Sequence, residues 1–132
     1  MITLDTSCIL ASLNRRDSQH TRTVAAFQAS SRPYVVPTGI LTEVAFMMES
    51  RGWRHFLQAF LADIERGCYE LDCGDENIPR IRQLMERYSN LPLGFADACV
   101  IACAERHGGQ VLTLDRDFWI VAREGLIEIA PA

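Results

Sequence analysis

At 132 residues, 48% of them hydrophobic and with no polar tract, the chain is long enough to bury the core of one domain and too apolar to be disordered. A formal charge of −4 and a pI near 5.3 exclude a protein that holds nucleic acid by broad phosphate neutralisation, but not one that brings carboxylates to phosphate through divalent metal. All thirteen basic residues are arginine, and the absence of lysine removes Schiff-base and P-loop chemistry.

The five cysteines, Cys8, Cys68, Cys73, Cys99 and Cys103, are odd in number and form no C-x-x-C pair, which suits reduced thiols in a cytoplasmic protein. No apolar run approaches the ~20 residues of a membrane span, and the first residues lack the basic-then-apolar order of a signal peptide.

In chain order, Met1-Ile2-Thr3-Leu4 reads as a buried strand ending on Asp5, with Thr6 or Ser7 available to cap a helix that follows from Cys8 to Leu13. Asn14 to Ser18 is a polar break, and Asp17 or Ser18 can cap a helix over residues 19–29, which Ser30-Ser31-Arg32-Pro33 ends. Tyr34-Val35-Val36-Pro37 is a second strand. Thr38-Gly39 opens a helix with apolar positions Ile40, Leu41, Val44, Ala45, Met47 and Met48, and with Glu43 in their midst. A further amphipathic helix covers 53–66, and Gly67 stops it.

Tyr69-Glu70-Leu71 reads as a third strand, and a helix over 75–88 begins with acidic residues and Pro79. After the loop 89–94 comes an alanine- and cysteine-rich helix, 95–106, with Asp97 in its first turn. Residues 110–114 form a clear strand running into Asp115, followed by Asp117-Phe118, a short helix near 120–123 and a last strand, 126–129. Strands alternating with helices imply an α/β fold with a mostly parallel sheet covered on both faces, in one domain spanning 1–132.

Asp5 and Asp115 terminate strands, while Glu43 and Asp97 lie near helix starts. In a parallel sheet those positions share one edge, so the four carboxylates can converge. Like charges near 4 Å repel by roughly 1 kcal/mol in water and about 4 kcal/mol at an effective dielectric of 20, and a Mg²⁺ or Mn²⁺ ion offsets that. Cys99, Cys103 and His107 recur at i, i+4 and i+8 on one helix, but zinc sites draw ligands from more than one element, so these cysteines read as small packed hydrophobes. The stripe Phe46, Met47, Met48, Trp53, Phe56 and Phe60 offers more apolar surface than one small sheet covers, so part of it is expected to face a partner.

Leu4-Asp5-Thr6-Ser7, Glu43 after Thr38-Gly39-Ile40-Leu41-Thr42, Gly94-Phe95-Ala96-Asp97-Ala98 and Leu112-Thr113-Leu114-Asp115-Arg116-Asp117-Phe118 resemble the four acidic motifs of the PIN-domain ribonucleases. In length and order the chain is most similar to the VapC toxins of toxin–antitoxin pairs. The resemblance implies a three-layer α/β/α fold with a five-stranded sheet in the order 3-2-1-4-5, and Mg²⁺- or Mn²⁺-dependent hydrolysis of RNA by metal-activated water. It makes Asp5, Glu43, Asp97 and Asp115 the catalytic acids, with Asp5, Asp97 and Asp115 as metal ligands and Asp117 a rival to Asp115. Thr6 and Thr113 match accessory hydroxyl positions. Arg15, Arg16 and Arg116 are candidates for RNA contact by their nearness in sequence to Asp5 and Asp115.

The partners implied are RNA, a cognate antitoxin, and a second copy in a homodimer or a toxin–antitoxin hetero-oligomer. Two other readings compete. A haloacid-dehalogenase-like phosphatase wants a second acid two residues after the first, where this chain has Ser7. A PIN-like RNA- or protein-binding scaffold would need no acids at all.

Overall fold

The computed structural model describes residues 1–31 and 33–131. Arg32, part of the segment expected to end the second helix, lies outside the described residues, as does Ala132. The elements are β1 (Ile2–Leu4), α1 (Thr6–Leu13), α2 (His20–Ala29), β2 (Tyr34–Pro37), α3 (Leu41–Ser50), α4 (Arg54–Glu65), β3 (Glu70–Asp72), α5 (Ile78–Arg87), α6 (Phe95–Arg106), β4 (Gln110–Leu112), α7 (Asp117–Arg123) and β5 (Glu128–Ile129). Single 3₁₀ turns, Thr38–Ile40 and Asp75–Asn77, lead into α3 and α5.

The five strands form one sheet in the order β3-β2-β1-β4-β5 with every pairing parallel, as expected. β1 is central, pairing Ile2 with Tyr34 on one side and Ile2, Thr3 and Leu4 with Gln110, Val111 and Leu112 on the other. Its three residues are all buried, because helices cover both faces. On one face α6 packs across β1, β2 and β4, and residues 98–104 of it are buried without a break. A helix that is apolar all round belongs inside a protein, and α5 in turn covers α6. On the other face α2 sets Phe27 against Tyr34 of β2, with ring centroids 4.8 Å apart.

Element boundaries shift in ways that matter for the site. The first strand stops at Leu4, and Asp5 occupies the N-cap position of α1 without capping it through its side chain. Neither Thr6 nor Ser7 is the cap, since both lie within α1. Asp5 nevertheless keeps extended dihedrals and donates its amide to Leu112 O at 3.2 Å, so it continues the alternation of β1. Thr3 reaches toward Cys103 of α6, so Asp5, two residues on, faces the same side.

The Thr38-Gly39 helix opening is a 3₁₀ turn, and its Gly39 abuts α6 so closely that a Cβ there would lie 2.6 Å from Cys99 Sγ. The third strand lies one residue later than expected and ends on Asp72. The fourth ends at Leu112, two residues early, as Thr113 leaves the ladder to bond Asp5. The fifth is shortened to Glu128–Ile129, and the last helix begins at Asp117.

Candidate active site

The acid cluster is built around Asp5, which is 4% exposed. Its Oδ2 accepts hydrogen bonds from Ser7 Oγ at 2.8 Å and Thr113 Oγ1 at 2.7 Å. Each hydroxyl also anchors the chain after β4: Ser7 Oγ accepts from Leu114 N at 3.0 Å, and Thr113 Oγ1 from Asp115 N at 3.0 Å. Asp115 Oδ1 then accepts from Asp117 N at 2.9 Å. Both strand-end acids thus belong to one hydrogen-bonded unit that joins residues over a hundred positions apart in sequence.

Burial raises the Asp5 carboxyl above its ordinary range, while the bonds from Thr113 and Ser7 pull it back. Asp97, half-buried at the start of α6, is pushed up to about 7, first by burial and then by the charges of Asp5, Asp115 and Glu43. The Gly94 backbone bond opposes that shift only in part. Glu43 itself is exposed in the first turn of α3. Asp97 therefore feels the charges of the other three acids at the C-terminal edge of the sheet, where parallel α/β folds place ligands.

The donor set fits a hard divalent cation: carboxylates and hydroxyls surround Asp5, and clustered negative charge needs a counter-charge. Beside Asp5, the buried hydroxyl of Thr6 has no hydrogen-bond partner among the described residues. The nearby Cys8 thiol adds no soft ligand, since burial drives its pKa well up and it donates to Asp5 O at 3.0 Å.

Two depressions flank the cluster. One, of about 600 Å³, is lined by Glu43, Asp97, Phe46 and Phe95, the two rings 68% and 50% exposed. The other, of about 620 Å³, runs from Thr113 along Arg116, Trp119, Arg123 and Arg22. Arg15 and Arg16 line neither. They lie beyond the far end of α1, whose eight residues carry the chain about 12 Å away from Asp5. Sequence reasoning missed Ser7 as an Asp5 partner, and missed Arg22, Arg123 and Trp119. The helical spacing of Arg116, Trp119 and Arg123, at i, i+3 and i+7, was the available signal for the last two.

Fold and acid cluster together define a class. The model of the PIN domain family matches residues 2–124, and the chain belongs to that family. Among proteins of known name it is similar to Ribonuclease VapC26 of Mycobacterium tuberculosis, with 27% identity over 115 residues that cover 86% of this chain and 85% of the relative. Among solved structures it is similar in fold to VapC20 of the same organism, a sarcin–ricin loop cleaving toxin, with a TM-score of 0.81 and 18% identity over 92% of this chain and 95% of that one.

Proposed function

We propose that the chain is a Mg²⁺- or Mn²⁺-dependent endoribonuclease, the toxin of a toxin–antitoxin pair, with residues 1–132 acting as one PIN unit. The observation that carries this reading is the Asp97 carboxyl, raised to about 7 by burial and by three converging acids drawn from distant parts of the chain. Membership of the PIN family and similarity to a named VapC ribonuclease support it.

Asp5, Asp97 and Asp115 are the proposed metal ligands, with Thr6 close enough in sequence to assist. A divalent cation bound there supplies positive charge against a phosphodiester and acidity for an attacking water. Thr113 and Ser7 fix the Asp5 carboxylate so that it meets the cation without reorganising. Asp117 acts through its amide, which orients Asp115. Glu43, exposed at the rim, would take a proton from water entering the cleft. Arg116, with Arg22 and Arg123 in the same groove, positions the RNA backbone. Arg15 and Arg16 stay in the proposal only for a substrate long enough to wrap past α1.

The antitoxin is expected to cover the acid cleft, using the exposed Phe46 and Phe95 beside Glu43 and Asp97 as an apolar edge, and Phe46 is equally available to a second copy. Among the described residues no helix is long and apolar enough to cross a membrane.

The test is RNA cleavage by the purified chain with and without Mg²⁺ or Mn²⁺, beside Asp5→Ala and Asp97→Asn. Cleavage is expected to need the metal and both acids. Activity that survives EDTA or either substitution would sink the mechanism, and a folded chain that binds RNA without cutting it is a scaffold.

A further inference from the structure

We propose that Asp72, Cys103 and His107 form a second cation site, separate from the acid cluster and suited to Zn²⁺ rather than Mg²⁺. One ligand atom from each, a carboxylate oxygen, a thiol sulfur and an imidazole nitrogen, lie within 4.8 Å of one another. Asp72 closes β3, whereas Cys103 lies in the last turn of α6 and His107, four residues on, is its C-cap, so the ligands come from two parts of the fold. His107 Nε2 is 2.6 Å from Asp72 Oδ2, and Cys103 Sγ is 3.9 Å from the same oxygen. Ligands around a tetrahedral Zn²⁺ sit about 3.3–3.8 Å apart, given bond lengths of about 2.0–2.3 Å. The separations of 2.6 and 3.9 Å lie on either side of that range, and a water would supply the fourth ligand.

The surroundings already hold the ligands. Asp72 Oδ1 accepts from Gly74 N at 2.9 Å and from Arg106 at 3.3 Å, which fixes the carboxylate plane and leaves Oδ2 directed at His107. Thr3 Oγ1 donates toward the Cys103 sulfur. Burial pushes the Cys103 thiol up to about 12, so it is neutral until a cation displaces its proton. A mixed sulfur, nitrogen and oxygen set favours a borderline-soft ion, in contrast to the all-oxygen acid cluster at the other end of α6. Asp97 lies ten residues before His107, roughly 15 Å along the helix. Bound Zn²⁺ would tie β3, an edge strand of three residues, to the central helix.

The experiment uses the full chain with the exposed cysteines replaced, Cys68→Ser and Cys73→Ser, titrated with Co²⁺ as a spectroscopic stand-in and then with Zn²⁺. One equivalent of Co²⁺ is expected to give a thiolate charge-transfer band with tetrahedral visible bands, displaced by Zn²⁺. Both signals should vanish in Cys103→Ser and in His107→Ala, and persist in Asp97→Asn. Zn²⁺ affinity should fall more than about tenfold in His107→Ala. Should Cys103→Ser fail to fold by circular dichroism, the part-exposed His107→Ala decides. The proposal fails if no band forms, if the band survives His107→Ala, or if Asp97→Asn abolishes it; the cluster is then an ion pair and nothing more.

Discussion

Asp5 is nearly inaccessible, and one oxygen of its carboxylate accepts from two hydroxyls that each hold a backbone amide as well. Removing one hydroxyl therefore costs more than one bond. Thr113→Val is expected to lower stability by about 1–3 kcal/mol in urea unfolding, because the Asp115 amide and Asp5 both lose a partner, while Thr113→Ser should stay near wild type. The Asp97 carboxyl titrates at about 7 in the fold against an ordinary value of 3.8. Between those values the folded state holds a proton that the unfolded chain has released. Stability of the metal-free protein should therefore fall as pH rises from 4 to 7. Melting measured across that range should show a flatter profile for Asp97→Asn, and Mn²⁺ should raise the melting temperature of the wild type at pH 8 but not of the variant. The strand-end acids were legible because an apolar run ends on each. Ser7 was not, because a hydroxyl after a strand looks like a local cap, and its partner Leu114 lies 107 residues away.

Among the elements, the central strands and α6 were readable from apolar runs and from alanine-rich composition, which survive any detail of packing. Boundaries were not, because tertiary bonds set them: Thr113 leaves β4 for Asp5, and β3 extends to Asp72, which pairs with Pro37. The Leu71-Asp72 step repeats the pattern of Leu4-Asp5 and Leu114-Asp115, a signal present in the sequence and passed over. The turn before α3 depends on Gly39, where an added Cβ would meet Cys99 Sγ at 2.6 Å and Cys99 Cβ at 3.1 Å. Gly39→Ala should cost about 1–3 kcal/mol by denaturant titration, as overpacking does. Adding Cys99→Ala removes the nearer contact and should restore part of the loss. A fully additive double variant would show that the two residues do not meet.

Across the whole molecule, a formal charge of −4 is distributed so that Arg22, Arg116 and Arg123 share one groove beside Thr113, with Trp119 half exposed among them. An acidic protein thus presents a local cationic track with an aromatic face, the combination that binds single strands. In the Asp97→Asn background, expected to be cleavage-deficient if the proposed mechanism holds, short single-stranded RNA is expected to quench Trp119 fluorescence, with Trp53→Phe removing the other indole. Arg116→Gln should reduce the slope of log affinity against log salt by about 0.7, and Arg123→Gln by a similar amount. An unchanged slope in both would move the RNA path elsewhere.

The central position of β1 also bears on how the protein is born. Asp5 is synthesised well before the residues it meets, since its amide donates to Leu112 and its carboxylate accepts from Thr113, 108 residues on, so the acid cluster is incomplete until that later segment has been made. At about 5–20 residues per second, translation holds the early half-site waiting on the order of 5–20 s for its counterpart. Until it arrives the proposed metal site lacks half of its residues, by topology alone.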